Sequence, residues 1–98
     1  MESMKFAALI DYTEDAAKIA AARPAHREYL KGVLDSGRLV ISGPFADDKG
    51  GLLIYEAASA EETEALIRDD PFAKAGVYTA WRIREWRVVM SNPKLCQP

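Results

Sequence analysis

A chain of 98 residues with 49% hydrophobic and 29% charged side chains has an ordinary globular composition, and it is long enough to bury a core without disulfide or metal staples. A net charge of -2 with no basic patch excludes a nucleic-acid surface, and no apolar run approaches a membrane span or a secretory signal. One cysteine and one histidine exclude a disulfide framework and the usual cysteine- or histidine-rich metal sites, so no metal and no cofactor is expected, and the default compartment is the cytoplasm.

Met1-Glu2-Ser3 is expected to fray. Met4 to Ile10 (MKFAALI) sets Phe6 and Ile10 on one face and Leu9 on the other, which predicts a strand buried on both sides. Thr13 can cap a helix over Glu14 to Ala22, with acidic residues in its first turn. Pro24 suits the first position of a new helix, so a break is expected near Arg23 and a longer helix from Pro24 to about Ser36. Gly37 is the natural stop, in a left-handed conformation, and Gly32 suggests close approach to a sheet. Arg38 to Ser42 (RLVIS) is a second strand ended by Gly43-Pro44. A turn over Asp47 to Gly51 leads to a third strand, Leu52 to Glu56, and the pair makes a hairpin.

Ser59 and Glu62 form a capping box, and Pro71 ends the helix they start at or before Asp70. A short turn over Phe72 to Ala75 follows. Val77 to Val89 is the last strand; Trp86 falls out of phase with Trp81 and Ile83, which predicts a bulge near Arg84-Glu85. The segment 91–98 holds two prolines and no pattern, and is expected on the surface with no assigned role.

The resulting order, β-α-β-β-α-β, is that of an α+β, ferredoxin-like domain: one antiparallel sheet with both helices on one face. The other face carries Leu9, Tyr78 and Trp86, too bulky and apolar to leave in water, which predicts a homodimer packed sheet to sheet.

Three features could carry chemistry. His26 shares a helical face with Tyr29, Leu30 and Val33, and would stand in the first turn near the positive helix end. Taken alone, such a histidine is more often a structural side chain tied to a backbone carbonyl. Asp70 precedes a proline, and Asp-Pro commonly does no more than start a turn. Ser42-Gly43-Pro44 ends a strand at a glycine where a ligand could approach the backbone and where an added side chain would occupy its space; it is equally an ordinary strand terminator. Lys49-Gly50-Gly51 lacks the spacing and the following helix of a phosphate-binding loop.

Arg23-Pro24-Ala25-His26 with Tyr29-Leu30, Gly37, Ser42-Gly43-Pro44, Asp48 with Gly51, Asp70-Pro71-Phe72, Ala75-Gly76-Val77 and Trp86 form an ordered set. In that set the chain resembles the YCII-related family, from Met4 to about Val88. The resemblance implies a dimeric α+β barrel and a His–Asp pair in a pocket, carried here onto His26 and Asp70. Arg23, Ser42, Gly43 and Pro44 would be substrate-binding residues around it. Most members have no assigned reaction, and one activity attached to the family is dehydrochlorination of a chlorinated hydroxyquinol.

A carboxylate beside an imidazole fixes its tautomer and supports the charged form, whereas a helix N-terminus opposes it. The free N–H groups of that helix end could also hold an anionic oxygen. Ser42 has no base of its own and Cys96 lies in the tail, so proton transfer is favoured over covalent catalysis. The expected function is a small cofactor-independent lyase, isomerase or dehydrochlorinase acting on a small molecule. The alternative is a non-catalytic module of the same fold that binds a metabolite or a partner protein. One geometric difficulty stands: if the helices of the two halves run roughly parallel, His26 and Asp70 lie at opposite ends.

Overall fold

In the computed structural model, which describes residues 3–98, β1 (Met4–Tyr12) lies inside a four-stranded sheet of order β2-β3-β1-β4. The residues Met1 and Glu2, expected to fray, lie outside the described residues. β2 (Leu39–Pro44), β3 (Gly50–Ala57) and β4 (Tyr78–Trp86) complete the sheet, and every neighbouring pair is antiparallel. The period-two alternation of β1 positions it: Phe6, Ala8 and Ile10 are buried against the helices, while Leu9 faces the other side. Leu53 and Tyr55 on β3 continue the helix-facing core, which Leu30, Val33, Leu66 and Ile67 close from above.

The first helical region differs from expectation. It is one continuous helix, α1 (Ala16–Asp35), with Pro24 inside it. Its N-cap is Asp15, whose side chain accepts from the Lys18 N–H at 3.1 Å, and Thr13 only receives the Asp15 N–H at 3.3 Å. Proline removes one backbone donor, but Ile19, His26, Leu30 and Val33 form a buried stripe on both sides of it. Burying that stripe holds the helix together across the missing bond, and the Ala-rich first half adds propensity. His26 therefore stands midway along a helix rather than in a first turn, and the expected anion site on its N–H groups does not exist.

The stop at Gly37 is as expected. Its φ is +82°, and the Arg38 and Gly37 N–H groups donate to the Val33 and Leu34 carbonyls, a Schellman motif. Gly32 faces open space rather than the sheet. α2 (Ala60–Arg68) starts on the Ser59 cap, with the Glu62 N–H donating to Ser59 Oγ at 3.1 Å. α3 (Pro71–Lys74) is a single turn, and a 3-10 turn (Pro93–Leu95) lies in the tail.

The antiparallel ladder also settles the helix directions. β2 runs parallel to β1 and antiparallel to β3, so α1 must run against β1 and α2 along it. The two helices are antiparallel, not parallel, and the end of α2 returns toward the first half of α1.

The bulge expected near Arg84-Glu85 is absent; Ala80 to Trp86 pairs with Asp11 to Lys5 without interruption. The irregularity lies at the other end of β4. Tyr12 pairs with Tyr78 and Asp11 with Ala80, so Thr79 is the extra residue. This turns Tyr78 to the helix side, where it is buried, and removes it from the open face. The open face keeps Leu9, Ile41, Leu52 and Trp86, between 38% and 46% exposed.

Candidate functional site

The fold's turn at Asp70-Pro71-Phe72 builds the site. Pro71 occupies the first position of α3 and Asp70 caps it, with Oδ1 accepting the Phe72 N–H at 2.9 Å. The Asp-Pro turn read from the sequence is thus present, and the same carboxyl does more. Its Oδ1 lies 2.7 Å from His26 Nδ1, and its Oδ2 accepts the Tyr78 O–H at 3.0 Å. Asp70 is fully buried and His26 is 8% exposed. A carboxylate only accepts, so the hydrogen of the His26 bond is assigned to Nδ1, which leaves Nε2 as the unengaged ring nitrogen.

Packing fixes the imidazole plane as firmly as the bond fixes its tautomer. His26 lies flat on Phe72, with ring centroids 3.7 Å apart and an interplanar angle of 3°. Tyr78 meets it edge-on at 6.1 Å, and Tyr12 stacks behind Tyr78 at 5.9 Å. Burial, then the charge of Asp70, raises the pKa of Tyr78 and of Tyr12, so both remain phenols at neutral pH. Tyr29 ties α1 to α2 through its O–H donated to the Leu66 carbonyl at 2.7 Å, and burial pushes its pKa up to about 12. Tyr55 is fully buried beneath them, and its hydroxyl has no partner among the described residues.

His26 and Tyr78 open onto a cavity of about 480 Å³ between α1 and the edge strand β2, within the range of small-molecule sites. Ser42, Gly43 and Pro44 line it. Ser42 pairs with Leu53, which belongs to the core side of the sheet, so the Ser42 side chain is on the cavity side. Gly43 pairs with Leu52 of the open face and contributes backbone only. A side chain added at Gly43 would meet nothing within 4 Å and would point away from the cavity, contrary to expectation.

Arg23 does not line the cavity; its charge reaches Tyr12, where it opposes the rise of the phenol's pKa. The two cations that do line it are Arg27 and Lys31, on the next turns of α1. The tail contributes as well: Cys96 and Pro98 form part of the wall, in a segment expected to have no role. Among the described residues no group of three or more His, Cys, Asp or Glu side chains is placed to hold a metal ion.

Sequence reasoning missed Tyr12, Tyr78, Arg27 and Lys31. Tyr12 was legible, since it continues the Phe6, Ala8, Ile10 alternation by one step. Tyr78 was hidden by the extra residue Thr79. Gly51 carried a further signal. A Cβ there would lie 2.7 Å from the Tyr12 hydroxyl and 3.1 Å from the Gly43 carbonyl, so the glycine leaves room for Tyr12 beside the cavity.

Comparison with known proteins agrees with this architecture. Residues 4–87 match the model of the YCII-related domain. The protein YciI of Escherichia coli is 30% identical over 89 residues, covering 81% of this chain and 91% of its own length. A fungal protein, "derivative of benzaldehyde biosynthesis cluster protein C" of Emericella nidulans, is 36% identical over 74 residues, covering 64% of this chain and 76% of its own. Among solved structures, the 5-chloro-2-hydroxyhydroquinone dehydrochlorinase TftG of Burkholderia phenoliruptrix, in complex with 2,5-dihydroxybenzoquinone, superposes with a TM-score of 0.75. It is 26% identical and covers 86% of this chain and 94% of its own. The chain belongs to the YCII-related family.

Proposed function

We propose that the chain is a small cofactor-independent enzyme that transfers a proton at a hydroxylated ring compound, with His26 as the base and Asp70 as the residue that positions it. The observation that carries this reading is the 2.7 Å contact between His26 Nδ1 and Asp70 Oδ1, which leaves Nε2 available to the cavity that His26 lines. An imidazole held as the Nδ1–H tautomer, with its plane fixed by Phe72, presents a lone pair in a set direction. Nε2 accepts a proton from the ligand; Asp70 stabilises the imidazolium formed. The electron pair left on the ligand either expels a leaving group, giving elimination, or takes up a proton at another atom, giving isomerisation. The substrate class is supported by TftG, whose name and bound quinone both denote oxygenated six-membered rings.

A turnover screen over chlorinated and unchlorinated hydroxyquinols tests the reading. Activity that is lost in His26→Asn while the melting temperature holds would support it. Unchanged turnover in that variant would sink it. Ligand binding without turnover of any ring compound would favour the binding-module alternative.

We further propose that a second copy covers the open sheet face. Leu9, Ile41, Leu52 and Trp86 are the apolar side chains it would bury. A stable dimer needs about 1,000 Å² of total buried area. Sedimentation at micromolar concentration should report a dimer, and a Trp86→Glu variant should report a monomer. A wild-type monomer would end the proposal.

A further inference from the structure

The charges around the cavity are one-sided. Arg27 and Lys31 line it, one helical turn apart on α1, and among the described residues no Asp or Glu does. The carboxyl at the centre of the site, Asp70, is fully buried and occupied by His26, Tyr78 and the Phe72 N–H; the charge of Asp48 reaches Tyr12 but its side chain does not line the cavity. Among the described residues neither Arg27 nor Lys31 has a carboxylate within 4.0 Å, although Asp35 stands one turn beyond Lys31; the ion pairs formed are Lys5–Glu56, His26–Asp70 and Arg68–Glu64. Like charges at this spacing repel and weaken a helix, a cost that a bound anion would remove. The rest of the wall is largely apolar, with Leu30 and Leu34 on α1 and Leu39 and Leu53 on the sheet. Apolar walls around a few convergent polar groups are the usual form of a small-molecule site, and the polar groups set its specificity.

We propose that the ligand of this cavity is a single-ring compound bearing a carboxylate, with the ring against the leucines and the carboxylate on Arg27 and Lys31. Arg27 offers a planar fork suited to a carboxylate, and Lys31 a point charge beside it. The oxygenated edge of the ring then lies toward His26. That last placement rests on the proposed proton transfer, whereas the carboxylate rests on the two cations alone. The two cations also replace the helix N-terminus as the anion-binding element, because α1 runs unbroken past His26.

Binding of 2,5-dihydroxybenzoate and of 1,4-dihydroxybenzene to the full chain, measured by calorimetry, tests the proposal. The two probes share the ring and its hydroxyls and differ in the carboxylate. The benzoate should bind about tenfold more tightly, with about threefold arising from each partly exposed cation. Arg27→Gln with Lys31→Gln should remove that preference and leave the neutral probe unchanged. Arg68→Gln, a cation outside the cavity, should change neither. The preference should also shrink as ionic strength rises from about 0.01 M to about 0.15 M. Equal affinity for the two probes, a preference that survives the double variant, an equal loss in Arg68→Gln, or no binding of either probe would each overturn the proposal. The measurement needs no turnover. A chain that prefers the benzoate yet turns over no ring compound would overturn the proton-transfer reading and leave this one standing.

Discussion

Asp70 is the residue whose replacement tests the site's construction most directly. Its two oxygens accept from the Phe72 N–H and the Tyr78 O–H and meet His26 Nδ1. Asp70→Ala would leave three donors unpaired in a buried place, each costing about 1–3 kcal/mol. These overlap, since His26 and Tyr78 can turn partly toward the cavity, so the expected loss is about 4 kcal/mol. It includes the lost cap of α3. Asp70→Asn keeps an oxygen for Phe72 and His26 and turns an NH₂ toward Tyr78, whose hydroxyl can then accept. Replacing charge-assisted bonds with neutral ones should cost only about 1–2 kcal/mol. With a urea slope near 1.3 kcal/mol per molar for a chain of this size, the midpoint should fall by about 3 M for Ala and about 1 M for Asn. A domain of ordinary stability, about 5–10 kcal/mol, survives both at room temperature. The decisive comparison is between the two variants. If Ala costs no more than Asn, or less than about 1 kcal/mol, the carboxyl is not the hub that its three contacts make it.

Other consequences follow from the same geometry. Ser42→Phe fills the cavity from β2 and should abolish ligand binding while moving the melting temperature by only a few degrees; matched losses of both would mean that position 42 serves the strand alone. Tyr55 and Tyr78 are held protonated in the fold by burial and by Asp70, and Tyr29 is pushed up to about 12, whereas in the unfolded chain each ionises near 10. Above about pH 10 the unfolded state therefore binds fewer protons. Stability that is complete below that pH should fall as pH rises, by up to about 1.4 kcal/mol per pH unit for each buried phenol; a flat urea midpoint between about pH 9 and about pH 11 would contradict this. Cys96 is an exposed thiol in the cavity wall, so a bound ring compound should slow its alkylation at least about threefold, and an unchanged labelling rate would place the tail outside the occupied volume.

The fold was legible in the sequence wherever a local rule met no competitor. Gly37 needed its left-handed conformation, Ser59 capped the helix at the Glu62 N–H while the Glu62 carboxylate took the Ala58 N–H rather than that of Ser59, and the alternation of β1 pointed Phe6 and Leu9 to opposite faces. Pro24 was misleading because proline acts on the backbone of one turn, while the stripe from Ile19 to Val33 acts on the whole helix. Stretches on both sides bury the same face, and the tertiary gain from doing so exceeds the cost of one absent hydrogen bond. The bulge was misplaced for a related reason. Val77, Thr79, Trp81 and Ile83 alternate in sequence, and only pairing with β1 reveals that Thr79 is the residue left over.

The meeting of His26 and Asp70 is the clearest case of information that no single segment contains. Each residue's local environment supports the modest reading: a histidine on an apolar helical face, an aspartate before a proline. What joins them is strand order. With β3 between β1 and β2 and antiparallel to both, the helices that follow β1 and β3 run antiparallel. The exit of α2 then falls beside the body of α1, and α3 folds Asp70 and Phe72 beneath His26 as one unit. The modest readings are correct and incomplete: Asp70 does cap a turn, and the same oxygen that caps it holds the imidazole. Separating the two roles takes a variant that keeps the cap and removes the charge. Asp70→Asn is that variant. If turnover of a ring substrate falls more than about tenfold in Asp70→Asn while most of the stability remains, the carboxylate acts on His26 and not only on α3. If turnover follows the folded fraction alone, Asp70 is a helix cap and His26 works without it.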